Sequence, residues 1–207
     1  MSNAIFQIDH PINEPVLTYA PGTPEREAIA ARLEALRGET IDIPLIIGGQ
    51  EVRTGRTAEC RVPHDHGHIL ATCHLAGEGE IKQAVSAAKA AAADWAAMDW
   101  ADRLAIFNRA ADLIAGPHRA TLNAATILGQ SKNLCQAEID SACEIIDFLR
   151  FNSYFATQIY QQQPISSPGV WNQLEYRPLE GFIFAVSPFN FTAIAGNLTT
   201  APAMLGN

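Results

Sequence analysis

The stretch Gly181-Phe-Ile-Phe-Ala-Val-Ser-Pro-Phe-Asn-Phe-Thr-Ala-Ile-Ala-Gly-Asn197 contains the pattern that decides the fold. Its apolar run, 182–186, lacks alternation, which is typical of a strand covered on both faces in a parallel sheet. Ser187-Pro188 ends the run, because proline cannot donate to a strand ladder and disfavours helix in the preceding residue. From Asn190 onward, small and apolar residues recur at helical spacing. A strand, a tight turn and a helix in this order predict an open α/β sheet, which binds ligands at the carboxyl edge of its strands.

Asn190 stands at the predicted start of this helix. Backbone N–H groups at a helix start carry partial positive charge and attract anionic groups. The Asn190 side chain adds a neutral NH2 donor, which can stabilise an oxyanion without acting as a nucleophile. The residue type alone therefore allows two interpretations, a donor at a ligand site or an asparagine that caps its own helix.

The segment Ser187-Pro188-Phe189-Asn190-Phe191 resembles the aldehyde dehydrogenase superfamily and, within it, the family of 1-pyrroline-5-carboxylate dehydrogenases. Similar matches follow in the same order along nearly the whole chain. They are Asn13-Glu-Pro-Val16, His66-Gly-His68, Gln136-Ala-Glu-Ile-Asp140, Ile146-Asp-Phe-Leu-Arg-Phe-Asn152, Gln162-Gln-Pro-Ile-Ser166 and Leu179-Glu-Gly-Phe182. Each match is weak by itself, and their common order makes the resemblance specific.

The resemblance implies roles for individual residues near this turn. Asn190 is expected to supply the amide that stabilises the oxyanion. Ser187, Pro188 and Phe189 are expected to line the nicotinamide side of an NAD site. Phe191 is expected, together with an acidic residue from the long helix, to border the tunnel for the aldehyde substrate.

That acidic residue is Glu144, in a helix predicted over about 132–158. Helical spacing places it on one stripe with Ser141 and Phe148. A carboxylate on such a stripe is costly to bury unless a partner pairs with it. The residues leave open a salt bridge to a basic side chain, an exposed flank of the stripe, or a charge near the substrate. The resemblance favours the charge near the substrate.

The resemblance implies NAD-dependent oxidation of L-glutamate γ-semialdehyde to L-glutamate in proline catabolism. Such a reaction needs a thiolate, donors for the oxyanion, NAD and a base. None of Cys60, Cys73, Cys135 and Cys143 stands in the family's nucleophile motif, and the family's catalytic Cys and Glu match positions beyond Asn207. We therefore interpret the chain as the N-terminal part of a longer enzyme, inactive by itself. The alternatives are an inactive remnant that binds subunits of the full enzyme, and a dehydrogenase for another aldehyde.

Composition limits the class of protein and its partners. Apolar residues form 48% and charged residues 17% of the chain, as in soluble globular proteins. The net charge of −8 argues against nucleic acid and anionic membrane surfaces as partners, since both attract basic patches. No apolar run approaches the ~20 residues of a membrane helix, and residues 1–12 lack a signal or transit pattern. A cytoplasmic protein with reduced thiols is expected.

The predicted organisation is an α/β fold of the aldehyde dehydrogenase type, truncated within its Rossmann-like NAD-binding domain. Its parts are an N-terminal arm and helix (1–40), strands and a helical layer (41–160), a hairpin (161–178) and the first, incomplete strand–turn–helix of the core (179–207). Pro44 interrupts a strand over 41–47 and indicates an edge position. Shorter helices are expected over about 23–38, 81–95, 104–114 and 119–128. By the resemblance, the hairpin pairs with a second subunit and makes a homo-oligomer.

His64, His66 and His68 form the one metal-like pattern in the sequence. Alternate spacing on a strand would place the three imidazoles on one face, where they could bind zinc or copper. Pro63 and Gly67 instead indicate a turn, and the family resemblance implies no metal here. We therefore expect a solvated loop and no metal site.

Overall fold

The computed structural model describes residues 6–207, in which helices outnumber strands. The helices are α1 (Pro24–Arg37), α2 (Glu78–Ala97), α3 (Trp100–Ala115), α4 (Arg119–Gln130), α5 (Leu134–Ala137), α6 (Glu144–Gln161) and α7 (Thr192–Met204), with a π-helical segment, Glu138–Cys143, between α5 and α6. The strands are β1 (Ile41–Ile43), β2 (Leu45–Ile47), β3 (Gln50–Val52), β4 (Thr57–Val62) and β5 (Asp65–His74). Within the part of the chain described, no helix has both the length and the apolar character needed to cross a bilayer.

Pro44 divides the strand predicted over 41–47 into two strands of different sheets. β1 pairs in parallel with β5, and β5 pairs antiparallel with β4, so β1 lies at an edge as predicted. β2 pairs antiparallel with β3 in a separate sheet of two strands. Gly48 and Gly49, with φ of 58° and 76°, form the turn between them. Glycine adopts these positive φ values without steric cost, which makes a two-residue hairpin turn accessible.

The turn between β4 and β5 lies earlier than the sequence predicts. β4 ends at Val62 and β5 begins at Asp65, so His66 and His68 lie in a strand and the predicted loop is wrong there. Val62 pairs with Asp65, so β5 begins before Gly67. The sequence predicts Gly67 in the turn. Among residues 6–207, no three His, Cys, Asp or Glu side chains are arranged to hold a metal ion.

Two apolar clusters hold the helices together. One joins α1 and α4 to the three-stranded sheet through Tyr19, Ile29, Leu36, Val62, Leu70, Ala124 and Leu128. The other joins α3, α6 and α7 through Leu104, Phe107, Ala111, Ile145, Ile146, Leu149, Ala156, Ala193 and Met204. Gly196 brings α7 close to α6, since a Cβ there would lie 2.5 Å from Cδ1 of Ile145. The second cluster therefore fixes where α7 begins relative to α6.

Helix α2 is less covered than its apolar stripe predicts. It has no buried residue, and Ile81 on that stripe is 57% exposed. Trp95 near its end is anchored, because its Nε1 donates to the carbonyl oxygen of Ala203 at 2.9 Å. The periodicity of apolar residues predicted the helix correctly. However, few side chains among residues 6–207 pack against the apolar face that the periodicity defines.

The helix predicted over 132–158 is interrupted. It runs from α5 to α6 through the π-helical segment, in which Ser141 Oγ donates back to the carbonyl oxygen of Ala137 at 2.5 Å. The segment also carries Glu138, a carboxylate that is fully buried. Single π turns inside α-helices often lie at functional sites, and residue spacing gave no signal of this one.

The strand predicted over 182–186 does not form within the part of the chain that the structure describes. Residues 162–191 contain neither helix nor strand. A strand of a parallel sheet needs neighbours for its N–H and C=O groups, and residues 6–207 place no strand beside this run. Its apolar side chains are consequently open, with Phe184 81% and Val186 71% exposed.

The hairpin predicted over 161–178 reverses direction without a strand ladder. Val170 N donates to the carbonyl oxygen of Ser167 at 3.0 Å and closes the turn. Leu174 N donates to Oε1 of Gln163 at 2.8 Å, so a side chain takes the place of a backbone partner. The reversal is therefore present, but the predicted strands are absent from the described structure.

Candidate functional site

Asn190 lies in the turn directly before α7, and its side chain is exposed. Phe191 occupies the N-cap position of α7, with no side-chain hydrogen bond to the first turn. The helix-capping interpretation of Asn190 is therefore wrong. Within residues 6–207 its amide makes no hydrogen bond, so this exposed amide is open to a ligand.

Ser187, Pro188 and Phe189 approach this turn as an exposed segment. The ring of Phe189 is 94% exposed. The three residues that the resemblance assigns to the cofactor thus lie beside Asn190 with accessible surfaces.

Glu144, at the start of α6, is half-buried and makes no ion pair within the described part of the chain. The basic residue nearby is Lys132, whose Nζ lies 2.9 Å from Oδ2 of Asp140. Burial raises the pKa of Glu144 above its ordinary value, the charge of Asp140 adds to the rise, and Lys132 opposes it. The salt-bridge interpretation is therefore wrong, because Asp140 takes the lysine. A carboxyl group with a raised pKa and without a partner is a candidate for function.

Lys132 connects this carboxyl group with the turn before α7. Its Nζ lies 4.2 Å from the centre of the Phe191 ring. Thr192, the next residue, accepts a hydrogen bond from Gln130 Nε2 at 3.1 Å and lies 2.9 Å, Oγ1 to Oγ1, from Thr126. The end of α4 and the connection after it thus hold the start of α7. Lys132 thus contacts Phe191, and its charge also lowers the pKa of Glu144 against the effect of burial.

The sequence reasoning missed Lys132. A single lysine in a short helix connection normally indicates a solvated charge, and no spacing rule relates it to Phe191. The Lys132 side chain is only 13% exposed. The signal that was present is its place four residues before the matched Gln136–Asp140 motif.

The reasoning also missed a buried cluster around Glu138. This carboxylate accepts hydrogen bonds from Arg119 Nη2 at 2.5 Å, Leu17 N at 2.8 Å, Tyr19 OH at 2.7 Å and Asn123 Nδ2 at 2.7 Å. Burial by itself would raise the pKa of Glu138, but these donors, Arg119 foremost, lower it below its ordinary value. Every oxygen of the buried carboxylate is satisfied, which is the condition for a stable buried charge.

Arg119 extends this cluster to the N-terminal arm. Its Nη1 donates to Oε1 of Glu14 at 2.5 Å, and Arg150 donates to the other oxygen of Glu14 at 2.6 Å. Glu14 and Glu138 both belong to motifs that carry the family resemblance. The cluster therefore fastens the arm to the helical layer, and we assign it a structural role.

None of the described thiols has the surroundings of a nucleophile beside Asn190. Burial, followed by the charge of Glu138, raises the pKa of Cys143 to about 12, so this thiol stays protonated at neutral pH. Cys60 and Cys73 face each other in the β4–β5 hairpin with their sulfurs 3.3 Å apart, and Cys135 is exposed on α5.

Replacing Glu144 by Gln is expected to stabilise the folded protein at neutral pH. Its pKa is higher in the folded than in the unfolded chain, so ionisation disfavours the fold above the unfolded pKa, and this penalty vanishes below it. The unfolding midpoint of Glu144→Gln should exceed that of the wild type at pH 8 by about 1–2 °C and equal it at pH 4, measured by scanning fluorimetry. Glu34→Gln, on an exposed position of α1, should match the wild type at both pH values. A lower midpoint for Glu144→Gln at pH 8 would mean that a partner stabilises the carboxylate.

Comparison with known proteins shows which family the chain resembles over most of its length. The model of the aldehyde dehydrogenase family matches residues 51–207. Delta-1-pyrroline-5-carboxylate dehydrogenase of Agaricus bisporus is 50% identical over 206 residues, which are 99% of this chain and 38% of that protein. The mitochondrial delta-1-pyrroline-5-carboxylate dehydrogenase of Homo sapiens is 47% identical over 195 residues, 94% of this chain and 35% of that protein.

A solved structure gives the same result. The crystal structure of the Delta-pyrroline-5-carboxylate dehydrogenase from Mycobacterium tuberculosis bound with NAD is 52% identical and superposes with a TM-score of 0.97, covering 100% of this chain and 39% of that one. The chain thus spans less than two fifths of the length of the relatives that it matches. The α/β class and the resemblance found in the motifs are confirmed. Because the family model covers most of its length and the fold superposes closely on a solved member, this chain belongs to the aldehyde dehydrogenase family.

Proposed function

We propose that the chain is the N-terminal part of an NAD-dependent 1-pyrroline-5-carboxylate dehydrogenase, which oxidises L-glutamate γ-semialdehyde to L-glutamate in proline catabolism. The observation that carries the proposal is the free amide of Asn190 at the uncapped start of α7. The relatives named above for this activity support it, with identities of 47% to 52%.

Asn190 serves the proposed reaction by stabilising negative charge. When a thiolate attacks the aldehyde carbon, the carbonyl oxygen becomes an oxyanion, and preorganised donors lower the energy of that state. The Asn190 NH2 and the first-turn N–H groups of α7 are such donors. The attacking thiolate and the base for thioester hydrolysis are proposed to come from the remainder of the enzyme, since Cys143 is held as a protonated thiol.

Ser187, Pro188 and Phe189 are proposed to line the site of the nicotinamide. NAD, when bound there, supplies the acceptor for the hydride of the aldehyde carbon. The three residues hold and orient its ring beside the donors of Asn190. Glu144 and Phe191 are proposed to border the path of the substrate, with Phe191 contacting its carbon chain and Glu144 providing a carboxyl group near the opening.

The open apolar run 182–186 is accounted for by the same proposal. Its residues have the composition of a strand covered on both faces, yet Phe184 and Val186 are largely exposed in the described structure. In the complete enzyme, we propose that strands from the remainder of the chain pair with this run and complete a Rossmann-like sheet. The turn that contains Asn190 would then follow the carboxyl end of a strand, where α/β folds bind ligands.

A direct assay tests the proposed function. The full-length protein should form NADH, followed by absorbance, with glutamate γ-semialdehyde as substrate, and its kcat/KM for propionaldehyde should be lower. The isolated 207-residue chain should form none. Equal or better use of another aldehyde would assign a different dehydrogenase. No activity of the full-length protein with any aldehyde would favour a remnant that binds subunits.

The hairpin over 161–178 is proposed to contact a second copy of the enzyme. It presents apolar side chains to solvent, with Ile165 91% and Trp171 85% exposed. Large exposed apolar side chains in one arm are typical of an interaction surface.

The cytoplasmic location expected from composition stays a prediction, while the human relative is named as mitochondrial.

Replacing both Ile165 and Trp171 by Asp is expected to dissociate the full-length oligomer. A charge at each of two apolar contact positions would have to be buried without a partner, at a cost of several kcal/mol. Light scattering after size exclusion should show a species of lower mass than the wild type at the same concentration. The matched double variant Gln83→Asp with Lys89→Asp, on exposed positions of α2, should keep the wild-type mass. An unchanged mass for the hairpin variant would rule out this contact.

A further inference from the structure

Lys132 occupies an unusual place for a lysine in a short connection. It lies between Ser131, which ends α4, and Asn133, which caps α5. Its side chain is 13% exposed, whereas Lys82 on α2, which pairs with Glu78, is 74% exposed. A lysine is rarely withdrawn from water to this extent unless its ammonium group has fixed partners.

The ammonium group of Lys132 has two such partners. Oδ2 of Asp140 lies 2.9 Å from Nζ and supplies the opposite charge. The ring of Phe191 lies with its centre 4.2 Å from Nζ, within the range of a cation–π interaction. Both contacts are strengthened by the partial exclusion of water. Asp140 thus fixes the position of the charge, and the charge fixes the ring.

The ring that Lys132 holds belongs to the residue after Asn190. Thr192, which follows Phe191, is held in turn by Gln130 and Thr126. Two consecutive residues after Asn190 are therefore held through their side chains, Phe191 by the connection that follows α4 and Thr192 by α4 itself. Asn190 itself has no hydrogen bond within residues 6–207, so its direction depends on the anchoring of these neighbours.

Building on the function proposed above, we propose that Lys132 is a positioning residue of the aldehyde site: its ammonium group, anchored by Asp140, holds the Phe191 ring and thereby directs the Asn190 amide toward the reacting oxygen. Lys132 does not contact the oxyanion in this arrangement. It acts through Phe191, and Asp140 acts through Lys132. The same positive charge opposes the rise that burial causes in the pKa of Glu144.

The test compares Lys132→Met and Lys132→Arg in the full-length enzyme, with Lys82→Met as the matched control. Lys132→Met removes the charge and keeps the length of the side chain. We expect its kcat/KM for the semialdehyde to fall about tenfold, mainly through kcat, with an unchanged KM for NAD. Arginine also stacks on aromatic rings and pairs with carboxylates, so Lys132→Arg should stay within about threefold of the wild type. Lys82→Met should leave every constant unchanged.

A double-mutant cycle with Phe191→Leu tests whether Lys132 acts through the ring. Phe191→Leu removes the partner of the charge, so adding Lys132→Met to it should lower kcat/KM by less than about twofold further. Multiplication of the two single effects would overturn the proposal, as would a Lys132→Met enzyme with wild-type kcat or a loss that arginine does not restore.

Asp140→Asn provides a second route if Lys132→Met does not fold. It keeps the shape of the anchor and removes its charge, and we expect kcat to fall about threefold with the KM for NAD unchanged. A wild-type kcat in Asp140→Asn would also contradict the proposal. Absence of activity in the wild-type enzyme would refute the proposed function, which is an outcome distinct from any of these.

Discussion

Replacing Asn190 by Ala in the full-length enzyme is expected to lower kcat about 100- to 1,000-fold, which is the effect of losing one donor of an oxyanion site. The side chain is exposed and makes no hydrogen bond among residues 6–207, so its removal should change the unfolding midpoint little, as for most surface substitutions. The KM for NAD should change little, because the amide is proposed to bind the substrate oxygen and not the cofactor. Steady-state kinetics of NADH formation and scanning fluorimetry measure the three quantities.

Two further variants test whether the loss of the Asn190 donor causes the fall in kcat. Asn190→Asp replaces the donor by a carboxylate next to the developing oxyanion, and like charges repel, so its kcat should be lower than that of Asn190→Ala. Gln83→Ala removes an exposed amide from α2 and should behave as the wild type. A kcat of Asn190→Ala within about threefold of the wild type would remove Asn190 from the mechanism and with it the main support for the proposed function.

Replacing Arg119 by Met is expected to destabilise the fold by about 3–5 kcal/mol, because it leaves a buried carboxylate without its countercharge. The side chains of Arg119 and Glu138 are only 7% and 1% exposed, and Nη2 lies 2.5 Å from Oε1. The change also removes the Arg119 contact with Glu14, so the N-terminal arm should open first. Denaturant unfolding measures the loss of stability, and hydrogen exchange of the Leu17 amide, which donates to Glu138, reports on the arm.

The pH dependence of this loss follows from the direction of the pKa shift. The pKa of Glu138 is lowered in the folded protein, so its contribution is present above the unfolded pKa and is lost as the pH falls through the folded pKa. The difference between wild type and Arg119→Met should therefore be largest near neutral pH and shrink in acid. Arg53→Met, whose partners Asp42 and Glu51 are exposed, is the control and should show no measurable change. A loss that stays constant down to acid pH would show that packing, and not the charge of Glu138, is responsible.

Local patterns predicted the helices well where the signal lies within a few residues. Thr23-Pro24 and Gly38 bound α1 as expected, and Gly116-Pro117 ends α3. Capping and proline effects act between neighbours in sequence, so they are readable without the fold. The π-helical segment was missed because its buried carboxylate is satisfied by donors from distant parts of the chain, and no spacing rule registers them.

The strand predicted over 182–186 does not form among residues 6–207, for a related reason. A strand exists only with its neighbours, and the described residues supply none to this run. The apolar composition is typical of a buried segment, but Phe184 and Val186 are exposed here, because composition cannot supply the neighbouring strands. The face of α2 shows the same limit, since periodicity identifies the helix and packing decides how much of it is covered.

The sequence by itself determined the family, the order of most helices and the place of Asn190 directly before a helix, because these depend on residues close together in the chain. Only the tertiary structure decided that Leu17 donates to Glu138 across 121 positions and that Lys132 meets the ring of Phe191. Such contacts depend on how helices pack and not on the spacing of residues within one element. The partners of the buried charges, and hence the support of the candidate site, become visible only when the chain is folded.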